Sequence, residues 1–325
     1  MDIVTSPRRS PLLFGIALVL TALGFAGVLR GEREGWGGFI YSPQRVVEWV
    51  EPGSAAADAG LRQGDSILTV DGRLATDLPM QSRWAQTRPG QTHRLELVRE
   101  GERLTVDVTY RPRGPNGFAL GALAVFLAFL WSGLWVRLSV GTAAARALCR
   151  AGLAAGVAAA ATPNVGGLWN GILSHTQLTA IALVFLFTLQ FVVLFPVPKR
   201  VSTSRPAITA VLVPLALVVL FEVTELLVHP RLYRSTGTVA GIVTLAYVAL
   251  IVAALVHSLG TAQRGTIWRS GLGWALLGVG LAIVAIVVPM VGLAVQVPGT
   301  VWAELLIVAL PVALALAVRK ARPAP

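Results

Sequence analysis

The sequence predicts a mainly α-helical polytopic membrane protein with about eight transmembrane helices and one small β-rich domain between helices 1 and 2. Of its 325 residues, 55% are hydrophobic and 13% are charged, and the mean hydropathy is +0.70. A soluble domain cannot bury that much apolar surface inside itself. The apolar residues also form long runs, and the one long polar interval, residues 33–113, suits a small separate domain.

The predicted spans are apolar runs close to the length of about 20 residues that a helix needs to cross a bilayer. They are residues 11–29, 118–138, 151–168, 178–197, 207–228, 239–259, 272–293 and 301–318. The third is the weakest, since Pro163 and Asn164 interrupt it.

The first run is expected to be an uncleaved anchor. Arg8 and Arg9 precede it, and its small-residue triplet, Gly24-Phe25-Ala26, lies inside the apolar run instead of after it. We therefore interpret residues 1–32 as a cytoplasmic tip with an anchor, and a removed signal peptide remains the alternative.

The distribution of basic residues predicts the orientation. The loops assigned to the cytoplasm hold Arg8, Arg9, Arg137, Arg146, Arg150, Lys199, Arg200, Arg205, Arg264, Arg269, Arg319, Lys320 and Arg322, and the opposite short loops hold Arg231 and Arg234. By the positive-inside rule, both termini are cytoplasmic in the plasma membrane. Residues 33–113 are then extracytoplasmic, 117–319 form a seven-helix block, and 320–325 are a cytoplasmic tail. We expect no nucleic-acid partner, because the net charge of +11 comes mainly from arginines scattered between spans.

One ordered motif lies in the polar interval, the sequence EPGSAAADAGLRQGDSILTVDG at residues 51–72. Pro52-Gly53 predicts a tight turn, Ser54 the cap of a short helix that Gly60 ends, and Asp71-Gly72 a hairpin turn. A strand is predicted over residues 45–50, and a closing hairpin over 93–99 and 103–110, across a turn at 100–102.

This motif resembles the run PGSPAxxAGLxxGDxIxxVdG of PDZ domains in bacterial membrane and envelope proteins, and the resemblance covers about a quarter of the chain. It implies that a glycine-rich turn points backbone amides at the C-terminal carboxylate of a peptide, and that a helix over residues 78–87 walls the groove. The peptide-binding candidates are Trp36, Gly37, Gly38, Phe39, Ile40, Tyr41, Met80, Arg83 and Trp84. Two alternatives stay open: Trp36 fills the pocket itself, or the domain acts as a lid with a closed groove.

The order of anchor, external PDZ-like domain and helical block is similar to the input region of some bacterial sensors, including peptide-sensing histidine kinases. The final run, with a central Pro311 and the basic exit Arg319, resembles the last helix of such a block. The sequence contains no His-box, ATP-binding domain or phosphatase, so we expect a signal to pass to a separate cytoplasmic output protein.

The residues predict no enzyme. An intramembrane metalloprotease with a PDZ domain needs HExxH to bind zinc, and none of His93, His175, His229 and His257 is followed by Glu. No GxSxG or P-loop motif is present. The single Cys149 excludes an intramolecular disulfide, and we expect neither a metal nor a cofactor.

Three carboxylates form a candidate polar site in the membrane. Glu222 and Glu225 share one helix face, and Glu304 falls at a similar depth in the last run. Because a charge in hydrocarbon is costly, they face either an outward ligand or proton-sensing pocket, or cations at the headgroup boundary, and we favour the second interpretation.

We therefore expect a non-catalytic membrane receptor or adaptor that binds an extracytoplasmic peptide or protein C-terminus and relays to the helical block. The alternatives are a transporter-like protein and a scaffold or regulator for an envelope protease.

Overall fold

The computed structural model describes residues 11–31, 35–42, 44–75, 87–112, 117–161, 167–199, 204–228, 236–262, 266–294 and 306–321. Within these ranges the chain is mostly helical, with a small β-rich domain directly after the first helix. The predicted fold class is confirmed.

The helices follow the apolar runs of the sequence. They are α1 (Pro11–Gly31), α3 (Gly117–Ser139), α4 (Ala143–Ala160), α5 (Gly167–Leu194), α6 (Arg205–Val228), α7 (Thr236–Thr261), α8 (Leu272–Ala294) and α9 (Ala309–Lys320), and a short α2 (Ala55–Asp58) belongs to the β-rich domain. Within the described ranges, five helices are long and apolar enough to cross a bilayer, namely α1, α3, α4, α5 and α7. The chain is thus a multi-pass membrane protein, and eight crossings stay a prediction.

The third span differs from its predicted bounds. It was expected over residues 151–168, whereas α4 begins at Ala143, where the hydroxyl of Thr142 accepts a hydrogen bond from the Ala145 amide at 3.2 Å. In the sequence, Arg146 and Arg150 lie between two apolar runs, on the predicted cytoplasmic side. In the structure both arginines lie inside α4. Their side chains are on its exposed face, so the helix extends past them without burying a charge.

Among the five candidate membrane spans of the described residues, α4 is the most buried, because it packs between α3 and α5 and also contacts α1 and α9. Glycines allow its closest contacts. A Cβ on Gly133 would lie 2.6 Å from the carbonyl oxygen of Leu148, and one on Gly152 would overlap the carbonyl oxygen of Phe129. The backbones of α3 and α4 therefore touch at two levels, in the manner of small-residue contacts between transmembrane helices.

α1 packs on the same pair of helices. Gly24 lies against Leu123 of α3 and Ala159 of α4, and the indole of Trp131 donates a hydrogen bond to the hydroxyl of Thr21 at 3.2 Å. The predicted anchor is thus part of the helical bundle.

The β-rich domain contains three small sheets among its described residues. β1 (Gly35–Trp36) pairs with β8 (Arg111–Pro112), and β2 (Phe39–Tyr41) pairs with β3 (Val47–Val50). The largest sheet has the order β5-β4-β6-β7, with β4 at Ser66–Val70, β5 at Arg73–Leu74, β6 at Thr92–Arg99 and β7 at Glu102–Thr109. The β1–β8 pair joins the two ends of the domain, so both of its connections to the membrane leave from one place.

The motif at residues 51–72 folds as its residue types predict. The Ser54 hydroxyl accepts from the Ala57 amide at 3.2 Å and caps α2, while Ala56 and Leu61 enter the domain core. Asp71 and Gly72 join β4 to β5 with positive φ values of 52° and 74°, the geometry of a type I′ hairpin turn.

Several strand boundaries differ from the expected ones by one or two residues. The last hairpin turn has only two residues, Glu100 and Gly101, both with positive φ, so Glu102 starts β7 opposite Arg99. A two-residue turn of this type matches the twist of the flanking strands. β3 starts at Val47 instead of residue 45, because Arg45 has a φ of 70° and turns the chain.

A buried ion pair connects the motif to β6. The side chain of Asp65 is 1% exposed and accepts from Arg99 Nε at 2.7 Å and from the Arg62 amide at 2.8 Å. Burial raises the pKa of Asp65, but the hydrogen bonds from Arg99 and Arg62 outweigh it and hold the pKa below its ordinary value. The carboxylate is therefore ionised, and its ion pair with Arg99 fixes the turn before β4 to strand β6 of the largest sheet.

We expect Arg99→Ala to destabilise a soluble fragment of residues 33–113 by about 3 kcal/mol, because it leaves a buried carboxylate without its partner. Urea unfolding measures the free energy. The matched control is Arg94→Ala, which removes an equally bidentate but exposed pair with Asp107 and should change stability little. Equal losses in the two variants would contradict a special role for the buried pair.

The same pair predicts a pH dependence. The unfolded state binds a proton at Asp65 near the ordinary pKa of about 3.9, whereas the folded state does so only at lower pH. Its stabilisation is therefore complete above about pH 5 and declines as the pH falls through 4 toward the folded pKa. Asp65→Asn should flatten this part of the stability curve, and a curve as steep as that of the wild type would disprove the assignment.

We also expect Gly152→Ala to weaken the helical bundle, because the added methyl overlaps the Phe129 carbonyl and separates α3 from α4. The measurement is the temperature at which the detergent-solubilised protein loses its monodisperse size-exclusion peak. Gly280→Ala on α8 is the matched control, since its Cβ would meet nothing within 4 Å. The α3–α4 contact would be unimportant if both variants melted alike.

Candidate functional site

The predicted carboxylate-binding turn lies between β1 and β2 and is held from both sides. Before it, the Gly35 amide donates to the Thr87 carbonyl at 2.7 Å. After it, Phe39 pairs with Val50 in the β2–β3 sheet. The turn is thus a fixed connection between two strands.

The carbonyl groups of the turn point into the domain. The Gly37 carbonyl accepts from the Ala56 amide at 2.8 Å, and the Gly38 carbonyl accepts from the Glu51 amide at 2.7 Å and from the Ser54 hydroxyl at 3.3 Å. In a trans peptide the N–H points opposite to the C=O of the same unit. The amides of Gly38 and Phe39 are therefore directed away from α2 and β3, toward the outer side of the turn.

The two glycines are also required by the packing of the domain. Gly38 has a φ of 81°, and a Cβ at this position would overlap the side chain of Ser54. A Cβ on Gly37 would lie 2.9 Å from the Phe39 ring and 3.0 Å from that of Tyr110. Both positions demand glycine for steric reasons, whether or not a ligand backbone approaches.

The aromatic residues beside the glycines divide into different environments. Trp36 is half-buried and its indole donates to the Glu51 carboxylate at 2.8 Å, which ties β1 to the start of the motif. Phe39 is 7% exposed and belongs to the domain core, and its ring stacks on that of Tyr41 at 6.1 Å. Phe39 therefore contributes its backbone to a candidate groove, while its side chain supports the fold.

The predicted groove-wall helix lies mostly outside the described residues, and with it Met80, Arg83 and Trp84. Its expected last residue, Thr87, is described and buried. The Thr87 carbonyl accepts the hydrogen bond from the Gly35 amide, and the Thr87 hydroxyl lies 3.2 Å from His93 Nε2. Thr87, the predicted end of that helix, is therefore bonded directly to the strand that leads into the turn.

A side-chain connection that the sequence did not predict continues from Thr87. His93 Nδ1 lies 2.8 Å from Asp71 Oδ2, and the imidazole packs edge-on against Tyr110 at 5.2 Å. Burial raises the pKa of the Tyr110 phenol, which is therefore neutral at physiological pH. The only sequence signal for this cluster is Asp71 in the hairpin turn, since strand pairing alone brings His93 beside it.

The candidate polar site in the membrane stays a prediction. Glu222 and Glu225 lie three residues apart on α6 and hence on one face of it, and Glu304 lies outside the described residues. Within the described ranges, no three His, Cys, Asp or Glu residues come together in an arrangement that could hold a metal ion.

Comparisons with known proteins identify the β-rich domain. The family model described as PDZ domain matches residues 22–110. The chain is 35% identical over 80 residues to the regulator of sigma-E protease RseP of Escherichia coli K12, covering 25% of this chain and 18% of that protein. It is 42% identical over 64 residues to the periplasmic pH-dependent serine endoprotease DegQ of the same strain, covering 19% of this chain and 14% of that protein.

Among solved structures, a serine endoprotease from Yersinia pestis is 32% identical, with a TM-score of 0.22, and the match covers 25% of this chain and 29% of that chain. The chain spans less than a fifth of the length of the curated relatives named above, and the matches to them are confined to one domain. This protein is a multi-helix membrane protein that carries a PDZ domain directly after its first helix.

Proposed function

We propose that this protein is a non-catalytic membrane receptor or adaptor, whose PDZ domain binds the C-terminal tail of a peptide or protein outside the cytoplasm. The direction of the peptide groups in the turn at Gly37 and Gly38 carries this proposal. Their carbonyls are engaged inside the domain, so the adjoining amides of Gly38 and Phe39 point outward as a pair.

Paired backbone amides in such a turn form a small anion-binding concavity. A terminal carboxylate placed there accepts charge-assisted hydrogen bonds, each worth roughly 1.5 to 3 kcal/mol. The remaining residues of the ligand add to the domain as an extra strand, which is the way PDZ domains bind peptides. Binding in the micromolar range, roughly −8 kcal/mol, follows for a short tail.

The arrangement of charges supports an extracytoplasmic position for the domain. Residues 117–325 contain thirteen Lys or Arg and three acidic residues, and most of those cations lie at one end of the helices. Under the positive-inside rule this end is cytoplasmic. α1 then crosses the membrane once before the PDZ domain and carries it to the other side.

A relay to the membrane helices has a direct physical route. The turn follows β1, and β1 is paired with β8 through Trp36 and Arg111. Residues 32–34 connect β1 to α1, and residues 113–116 connect β8 to α3. A ligand that shifts β1 therefore acts on the ends of two helices that pack on each other, and a separate cytoplasmic partner reads the change.

A second candidate is a regulator or scaffold for an envelope protease. It is supported by the similarity of this PDZ domain to regions of proteins that are named as proteases or regulators of one. In this version the ligand tail belongs to the protease or to its substrate.

The carboxylate is the part of the ligand that the proposal depends on. In fluorescence-polarisation titrations of a peptide library, we expect amidation of the C-terminus to weaken binding at least tenfold, because one charge-assisted hydrogen bond is worth more than 1.4 kcal/mol. Peptides that bind equally well with free and amidated ends would exclude the proposed groove chemistry.

One arginine of the predicted groove wall can be compared with an arginine elsewhere on the domain. Arg83→Glu should weaken binding, since it puts a negative charge beside the predicted path of an acidic terminus. Arg103→Glu makes the same charge change at an exposed position of β7 and should leave affinity unchanged. If the two variants have equal affinity, residues 78–87 do not wall the groove.

A further inference from the structure

A narrow stripe on α4 is exposed, although α4 is otherwise enclosed by its neighbours. Of the 18 residues of the helix only Arg146, Arg150 and Val157 are exposed. Their spacings of four and seven residues bring all three onto one line along the helix. The stripe therefore has two cations at one end and an apolar side chain further along.

Neighbouring helices form the sides of this stripe. On the α5 side, Gln190 accepts a hydrogen bond from Arg150 at 3.4 Å, and Phe187 packs against a core cluster that includes three alanines of α4. On the α1 side, Leu20 lies against Gly156. Polar groups are at the level of the arginines, and apolar groups border the rest of the stripe.

The position of the stripe along the helix follows from α4 geometry. Arg146 and Arg150 lie about 5 and 10 Å from the start of the helix, and Val157 about 21 Å from it, at 1.5 Å per residue. The start of α4 is at the same end of the bundle as the close of α9, because Arg319 near the end of α9 contacts Trp135 near the end of α3, and α4 begins four residues after α3 ends. Arg319 stacks there over Trp135 of α3 at 4.5 Å, a pairing typical of the membrane interface.

No carboxylate of the surrounding elements can neutralise the two arginines. The sequence has no Asp or Glu from residue 3 to 31, from 108 to 221 or from 305 to 325, which covers α1, α3, α4, α5 and α9. Among the described contacts, Arg146 donates to the Gly141 carbonyl and Arg150 to Gln190. Each guanidinium has five N–H donors, so most of them remain for an external anion.

We propose that this stripe binds an anionic glycerophospholipid, with the phosphate held between Arg146 and Arg150 and an acyl chain lying along Val157. Arg146 and Arg150 are four residues, about one helical turn, apart on one face of α4, so their long side chains can reach a single phosphate. Basic niches between transmembrane helices suit lipids with an anionic headgroup. A soluble acidic protein fits less well, because Arg150 lies about two turns deeper than the helix start, and the stripe continues into the apolar region.

This inference is independent of peptide binding, since it concerns the opposite end of the helices from the PDZ domain. Its test is native mass spectrometry of the delipidated full-length protein in detergent. The probes are 1-palmitoyl-2-oleoyl-phosphatidylglycerol and the phosphatidylcholine with the same chains. We expect the wild type to bind phosphatidylglycerol about tenfold more tightly, because only its headgroup is a net anion.

The double variant Arg146→Gln/Arg150→Gln should lose this preference. The matched control, Arg269→Gln/Lys320→Gln, removes the same charge from exposed positions at the same end of the bundle and should keep it. Arg146→Lys/Arg150→Lys keeps the charge but loses the planar fork, so an intermediate preference is expected. Thermal unfolding in lipid-free detergent shows whether the glutamine variant is folded. If it is not, the lysine variant still tests the site.

Three results would overturn the proposal. One is an equal loss in the control variant, which would indicate a diffuse effect of net charge. The second is full displacement of phosphatidylglycerol by glycerol 3-phosphate, which would indicate a soluble phosphate as the ligand. The third is equal affinity of the wild type for both lipids. Binding of an acidic peptide to the same arginines in that case would indicate a protein as the ligand.

Discussion

The close approach of α3 and α4 is the contact on which the membrane part of this protein depends. In a bilayer, apolar side chains gain little by leaving lipid for a protein interior, so helices associate through tight packing. Gly133 and Gly152 permit backbone contact at two levels, and α1 and α5 pack onto the resulting pair. Enclosure of α4 on nearly all sides is the consequence, and its few exposed residues are confined to one line.

Ser54 has a similar role in the PDZ domain. Its hydroxyl caps α2 by accepting from Ala57, and it also donates to the carbonyl of Gly38, whose positive φ leaves no room for a side chain. One residue therefore joins the motif at residues 51–72 to the turn proposed to bind a carboxylate. The motif builds the domain, and the same contact sets the direction in which the amides of the turn point.

The two proposed sites lie at opposite ends of the helices and use different chemistry. The turn at Gly38 offers backbone amides, which recognise a carboxylate through direction and not through net charge. The stripe at Arg146 and Arg150 offers whole charges on a membrane helix, where no acidic residue of the neighbouring elements competes. In the proposed relay, a tail bound to the PDZ domain acts on α1 and α3 through β1 and β8, and α4 lies against both helices.

The residue pattern by itself determined the fold class, the place of the PDZ domain and most of its turns. Long apolar runs predict membrane helices, and Asp71-Gly72 predicts its hairpin, because these are local properties of the chain. Tertiary structure decided where α4 begins, since an arginine inside a helix and one in a loop look alike until the neighbours are known. It also decided which groups meet, such as Thr87 with His93 and Arg150 with Gln190. Such contacts depend on strand pairing and helix packing between distant residues, which local sequence preference does not specify.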